Sequence, residues 1–148
     1  MSKPVVIPFE TTLHVRDTCL CLHVQRAARA LARKFDEALR PLDLTNGQFS
    51  LLMALNRPEP PGMGPVAHLL AMDRTTLTAA LKPLEKRGLV ETMTDAKDRR
   101  LRRMKLTPAG HALLSRALPI WVKTHAEVDD ALGEGRPDRL RSDLLALA

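Results

Sequence analysis

The segment Met72–Gly110 constrains the fold of this chain more than any other part of the sequence. Its first half has leucines at helical spacing and predicts a helix that runs to Arg87. Asp73 and Thr75 are both suited to the N-cap of this helix, and Gly88 is suited to the position after its end, where a positive φ is easily adopted. The segment therefore opens with a helix that has capping residues at both of its ends.

A β-hairpin is predicted directly after this helix, because apolar and polar residues roughly alternate over residues 89–94 and again over 101–106. The hairpin is rich in charged side chains: Lys97, Arg99, Arg100, Arg102, Arg103 and Lys105, against Asp95 and Asp98. A turn needs only Gly or Asn, so we interpret these cations as surplus to folding. A helix followed by a basic hairpin predicts a winged helix-turn-helix that binds duplex DNA.

The residues before this segment are predicted to be helical, which makes the fold mainly α with a two-stranded wing. A long helix is expected over residues 12–40, with Pro41 ending it. Thr45 and Gln48 have the spacing of a capping box, which predicts a second helix over residues 46–56. A short third helix near residues 65–71 completes the helix-turn-helix.

Two further helices are predicted after the wing. Thr107 is suited to the N-cap of the first, with Pro108 at the tolerated first position, and this helix should continue to about Leu132. Pro119 lies inside it and is expected to kink it. The final helix is predicted over residues 138–147.

The terminal helices carry more apolar surface than a single small winged helix can bury. The apolar stripe of the first helix consists of Leu20, Val24, Ala27, Leu31, Phe35, Ala38 and Leu42. The last helix carries Leu140, Leu144, Leu145 and Leu147. This surplus predicts a homodimer. We therefore divide the chain into a DNA-binding core over about 45–107 and dimerisation helices over about 10–42 and 108–148.

The helix before the wing has two chemically distinct faces at 100° per residue. The residues predicted to face the core are Leu77, Ala80, Leu81 and Leu84. The opposite arc carries Thr75, Ala79, Lys82 and Lys86, with Thr78 at its edge. Small hydroxyl side chains allow a helix to approach the major groove, and lysines suit phosphate or guanine. Hence we predict that this helix reads DNA.

The composition agrees with a duplex DNA partner and excludes several other classes. Lys and Arg number 23 against 17 acidic residues, a formal charge of +6, and such an excess suits a polyanion. Aromatic residues make up only 3%, too few for the stacking platforms of single-strand binders. No P-loop, dinucleotide-binding motif or nucleophile elbow is present, so neither an enzyme nor a cofactor is predicted.

The sequence shows no recognisable targeting signal, and we therefore predict a cytoplasmic protein. The first residues have no signal-peptide pattern. No apolar run approaches the length of about 20 residues that crosses a bilayer, so no membrane partner is expected.

Cys19, Cys21 and His23 form a C-x-C-x-H run on the predicted first helix, and we weigh three interpretations of it. Cys19 and His23 would share a face, which could begin a metal site. On one helix Cys21 would point about 200° away from Cys19, so these two could not pair there. Redox sensing between subunits or through a sulfenic acid is the second interpretation, and plain packing of small side chains is the third.

The motifs DRTTLT, LEKRGLVE and DAKDRRLRRMKLTPAG closely resemble the MarR family of bacterial transcriptional regulators. The family's wing pattern is Asp-x-Arg followed by Leu-Thr and Gly, which corresponds here to Asp98–Arg100, Leu106–Thr107 and Gly110. The resemblance implies that the reader helix carries Arg74, Thr75, Thr76, Thr78 and Lys82, and that the wing carries Asp98 and Arg100. The candidate DNA-binding residues are thus Arg74, Thr75, Thr76, Thr78, Lys82, Asp98, Arg99 and Arg100.

The same resemblance implies a homodimer in which each subunit binds half of a near-palindromic operator. It also implies repression that is relieved by a small-molecule effector such as an aromatic acid, or by cysteine oxidation. Trp121, beside the Pro119 kink, could line an effector cavity or simply belong to the core. A winged-helix module that binds protein, or an architectural DNA binder without an effector, is the remaining alternative.

Overall fold

The computed structural model describes all 148 residues and contains seven α-helices and one two-stranded sheet. The elements in chain order are α1 (Phe9–Thr18), α2 (Leu20–Leu39), a 3₁₀ turn (Arg40–Leu42), α3 (Asn46–Leu55), α4 (Met63–Leu69), α5 (Arg74–Lys86), β1 (Val90–Thr94), β2 (Arg102–Leu106), α6 (Pro108–Leu132) and α7 (Arg136–Leu147). The predicted fold class, mainly α with a two-stranded wing, is confirmed. No helix combines the length and apolar character that crossing a membrane requires.

The predicted capping residues fix the starts of three helices. The Thr45 hydroxyl accepts the backbone N–H of Gln48 at 3.1 Å, and the Gln48 side chain accepts the backbone N–H of Thr45, so the capping box is complete. Asp73, rather than Thr75, caps α5 by accepting the backbone N–H of Thr76 at 2.7 Å. Thr107 caps α6 in the same way.

The core lies between α2, α3, α4, α5, the sheet and α6. Its fully buried side chains include Leu39, Leu52, Leu77, Leu84 and Met104. Both internal prolines are accommodated, since α5 continues past Pro83 and α6 past Pro119.

Gly110 allows α6 to lie directly against the base of the hairpin. A Cβ atom built at this residue would stand 2.1 Å from the carbonyl oxygen of Leu89, which no side chain can tolerate. The Thr107 hydroxyl donates to the carbonyl of Gly88 at 2.6 Å, and the Thr107 backbone N–H donates to Leu89. The glycine of the wing motif is therefore required by packing between α6 and the end of α5.

The predicted single helix over residues 12–40 is wrong, because the structure breaks it at Cys19. Cys19 has an extended backbone (φ −68°, ψ 112°) that ends α1 and precedes α2. Thr18 turns its hydroxyl back onto the carbonyl of His14 at 2.7 Å, a local bond that competes with helix continuation. No residue of α1 is buried, so no packing within the subunit favours a straight helix across this point.

Candidate nucleic-acid interface

α5 presents its predicted faces as expected. Leu77, Leu81 and Leu84 are buried and Ala80 is partly buried against the core. Its predicted DNA-facing side chains are all exposed: Arg74, Thr75, Thr76, Thr78 and Lys82. The backbone hydrogen bond from Thr76 lowers the pKa of Asp73, so the carboxylate that begins this face stays ionised.

The Thr78 hydroxyl is already engaged, because it donates to the carbonyl oxygen of Arg74 at 2.8 Å. Its proton is therefore directed along the helix. What Thr78 offers outward is its methyl group and the acceptor lone pairs of its oxygen.

A concavity of about 480 Å³ brings the reader helix and the wing together. Its walls come from the start of α5, the wing and the beginning of α4. The residues that line it are Gly62, Met63, Gly64, Pro65, Arg74, Thr78, Arg100, Leu101, Arg102 and Arg103. Four arginines from two elements thus converge on one recess, which we name the arginine concavity. Thr75, Thr76, Lys82, Asp98 and Arg99 lie outside its lining.

The tip of the wing carries Arg100 far into solvent, with 91% of its side chain exposed. Its Nε lies 3.3 Å from Oδ1 of Asp98, and its backbone N–H donates to the same oxygen at 3.0 Å. The pair is not bidentate, because only one carboxylate oxygen is used. Asp98 orders the backbone of the tip and holds the guanidinium at a single point.

The end of the wing sheet next to the turn contains an ion pair that the sequence does not predict. Asp95, only 8% exposed, accepts the backbone N–H groups of Lys97 and Asp98 and a hydrogen bond from Nε of Arg103. The Arg103 side chain, aided by the two backbone donors, lowers the pKa of Asp95 to about 2. Arg103 also donates from Nη1 to the carbonyl of Pro60 at 2.8 Å. The interpretation of Arg103 as surplus to folding is therefore wrong.

Cys19, Cys21 and His23 do not form the predicted helical face. Cys19 is the N-cap of α2 and its carbonyl oxygen lies 2.7 Å from Nδ1 of His23, while Cys21 is exposed. No group of three potential metal ligands occurs anywhere in the chain. Since the two cysteines are not on one continuous helix, the helical geometry that excluded their pairing no longer applies.

Trp121 belongs to the border of the core. Its ring stacks on Phe49, with centroids 6.1 Å apart, and approaches His125 at 4.7 Å. One face of the stack opens into a groove of about 490 Å³ that also includes Leu118 and Arg57. The groove is predominantly apolar with one cation at its margin.

A helix-turn-helix whose reader helix joins a basic two-stranded wing defines the class of winged helix-turn-helix proteins. Comparisons with known proteins place the chain within that class. The family model of the MarR family matches residues 44–101. The transcriptional regulator MosR of M. tuberculosis, in a structure with DNA, is 40% identical, with a TM-score of 0.79 over 87% of this chain and 92% of that chain.

Two further solved structures share the fold. The transcriptional repressor CouR, bound to a 23-mer DNA duplex, is 29% identical, with a TM-score of 0.80 over 90% of this chain and 94% of its own. A MarR mutant from E. coli with operator DNA is 24% identical, with a TM-score of 0.81 over 91% of this chain and 97% of its own, a likeness in fold alone. The chain belongs to the MarR family, whose members are transcriptional regulators and not enzymes.

Proposed function

We propose that this chain binds duplex DNA as a homodimer and represses transcription from a near-palindromic operator until a small effector releases it. The observation that carries the proposal is the arginine concavity, in which side chains of the reader helix and the wing face the same space. Its cations suit the phosphate backbone between two adjacent grooves. DNA-bound structures of MosR and CouR support the assignment.

In this proposal α5 and the wing contact different grooves of the DNA. Thr75, Thr78 and Lys82 on α5 face the major groove, where Arg74 and Thr76 approach the backbone. The wing reaches the neighbouring minor groove through Arg100, because an exposed guanidinium suits its narrow, negative channel. Arg99 lies beside it on the same tip, and Asp98 directs the wing rather than touching DNA.

The homodimer is supported by apolar side chains that the subunit leaves uncovered. α1 and α7 contain no buried residue. Exposed large apolar residues cluster on the terminal elements: Val15, Leu20, Val24, Leu31, Leu118, Val122, Leu140, Leu144, Leu145 and Leu147. We assign residues of about 10–42 and 108–148 to the dimer interface and about 45–107 to the DNA-binding core.

The effector is proposed to be a flat apolar acid. The Trp121 groove supports this class, because Phe49 and Trp121 present stacked rings and Arg57 supplies a cation near them. The Arg57 Nε donates to the carbonyl of Ala54 at 3.3 Å, which leaves its remaining N–H groups available to a carboxylate.

A second regulatory input is supported by the break at Cys19. Cys19 is the extended N-cap of α2 and the exposed Cys21 lies in its first turn, so two free thiols stand at the start of this helix. Peroxide could oxidise the pair to a disulfide, with peroxide reduced to water. Oxidation would distort the start of α2 within the proposed interface.

Fluorescence anisotropy on a labelled duplex from upstream of the protein's own coding sequence tests DNA binding, with a scrambled duplex of equal length as control. Binding should prefer the upstream duplex and weaken steeply with salt. Affinity that does not depend on salt, or no binding at all, would favour a protein-interaction module instead. Sedimentation at micromolar concentration should give the mass of a dimer, and a monomer would refute the interface assignment.

A further inference from the structure

The wing is attached to the loop between α3 and α4 through the first residues of β2. Met104 donates its backbone N–H to the carbonyl of Pro61 at 3.0 Å, and Gly62 forms a bridge with Arg103. The Arg103 guanidinium adds a side-chain bond to the carbonyl of Pro60. The loop between α3 and α4 is thus joined to the start of β2 by a single antiparallel bridge and these hydrogen bonds.

Asp95, within the hairpin, completes this attachment by binding the Arg103 side chain. It follows the last residue of β1 and lies opposite Leu101, to whose carbonyl its backbone N–H donates at 2.9 Å, so its side chain reaches Arg103 diagonally across the hairpin. Its two carboxylate oxygens accept hydrogen bonds from different donors. Oδ1 accepts the N–H groups of the turn, and Oδ2 accepts Arg103. The nearly buried carboxylate therefore fixes both the turn and the arginine.

The partner loop is stiff. Residues 57–62 contain Pro58, Pro60 and Pro61, which restrict φ at those positions and the conformations of the residues before them. α4 follows this loop directly and packs against α5. A chain of short contacts consequently runs from the wing through Arg103 and the loop to the helix-turn-helix.

We propose that Asp95 and Arg103 form a clamp that sets the position of the wing relative to the reader helix. In this view Arg103 is a positioning residue and not a phosphate ligand, although it lies in the arginine concavity beside Arg74 and Arg100. The inference rests on the proposed DNA binding. It adds that affinity depends on a carboxylate inside a basic surface.

The clamp and simple electrostatics predict opposite changes in DNA affinity when this carboxylate is lost. Asp95→Asn makes the wing more positive, which by charge alone should tighten binding to a polyanion. The clamp predicts the reverse, because the freed wing must be ordered when DNA binds. We expect the affinity of Asp95→Asn for the upstream duplex to fall about tenfold, the effect of losing one charge-assisted hydrogen bond.

Glu91→Gln is the matched control. Glu91 is an exposed carboxylate on β1, paired with Lys105 at 3.4 Å. Its neutralisation changes the charge of the wing by the same amount. Glu91→Gln should therefore bind the duplex as tightly as the wild type or more tightly.

Arg103→Lys separates positioning from phosphate contact, because it keeps the charge and loses the forked geometry that joins Asp95 to Pro60. We expect weaker binding with an unchanged slope of log K against log salt. A phosphate ligand would instead keep most of its affinity as Lys. In Arg103→Gln a phosphate ligand would lower the slope by about 0.9, whereas the clamp leaves it unchanged.

The decisive experiment measures anisotropy at four salt concentrations for the wild type, Asp95→Asn, Glu91→Gln, Arg103→Lys, Arg103→Gln and the Asp95→Asn/Arg103→Lys double variant. Circular dichroism melts confirm that each variant is folded. A double variant no weaker than either single variant supports the clamp. Tighter binding by Asp95→Asn, or a lower salt slope in Arg103→Gln, overturns it. Absence of binding by the wild type would refute the proposed function instead.

Discussion

The winged core and the terminal helices of this chain are folded by different means. In the core, caps, leucines and the close approach at Gly110 bury most of the large apolar side chains within one subunit. In α1 and α7 no residue is buried, although both helices carry leucine or valine. The comparison teaches that the core is held by contacts within one subunit, whereas the apolar side chains of α1 and α7 find no such cover in a single subunit.

The contrast between the two regions is tested most directly by replacing one leucine in each with alanine. Leu84→Ala removes a side chain that is 0% exposed and should lower the free energy of unfolding by about 2–5 kcal/mol. Leu145→Ala removes one that is 76% exposed and should leave that quantity nearly unchanged at low protein concentration, while weakening self-association. Urea denaturation and sedimentation measure the two effects. Equal losses of stability would show that α7 is folded on its own subunit.

Within the core, Arg100→Ala tests the wing tip. The side chain makes one weak contact with Asp98 and is otherwise free, so stability should not change. Binding should weaken by about 1–3 kcal/mol, the value of a charged contact. Operator and scrambled duplexes should both be affected, because minor-groove arginines respond to groove width more than to base identity. Asp98→Ala should give a milder version. Wild-type affinity in Arg100→Ala would remove the wing tip from the interface.

Lys82→Ala tests the reader helix by the same assay. Lys82 is exposed on α5 and does not line the arginine concavity. We expect its ammonium group to contact a DNA phosphate. The salt slope should fall by about one unit with little change in sequence preference. A preserved slope with relaxed preference at one base of each half-site would assign Lys82 to guanine instead.

Acid titration tests the ion pair of Asp95 and Arg103. The pKa of Asp95 is held at about 2, below its ordinary 3.8, so the folded state binds this proton less readily than the unfolded chain. Its contribution to stability is complete above pH 4 and disappears as the pH falls toward 2. Asp95→Asn should therefore flatten the decline in melting temperature across this range. Parallel curves for the variant and the wild type would contradict the assignment.

The smallest effect is expected from the cysteines. Under reducing conditions, Cys19→Ser/Cys21→Ser should bind DNA as the wild type does. After diamide or peroxide, the wild type should lose affinity and the double variant should keep it. Unchanged affinity of the oxidised wild type would remove the redox input.

The same division between core and ends explains what could be predicted from the sequence. Caps at Thr45, Asp73 and Thr107 are local signals, so the core elements were placed within a few residues. The break at Cys19 has no proline or glycine to mark it. The Asp95–Arg103 clamp was missed because its third member, Pro60, lies 43 residues before Arg103, a contact that no local pattern encodes.

The junction at Gly110 has a mechanical consequence. α6 is 25 residues long, about 37 Å from end to end, and its first turn is fixed to the loop between reader helix and wing. If α6 tilts as a unit, it pivots at this junction, beside Gly88 and Leu89. A tilt of about 5° would then move its far end by about 3 Å, so a small displacement near Leu132 would reach the loop between α5 and β1 as a rotation.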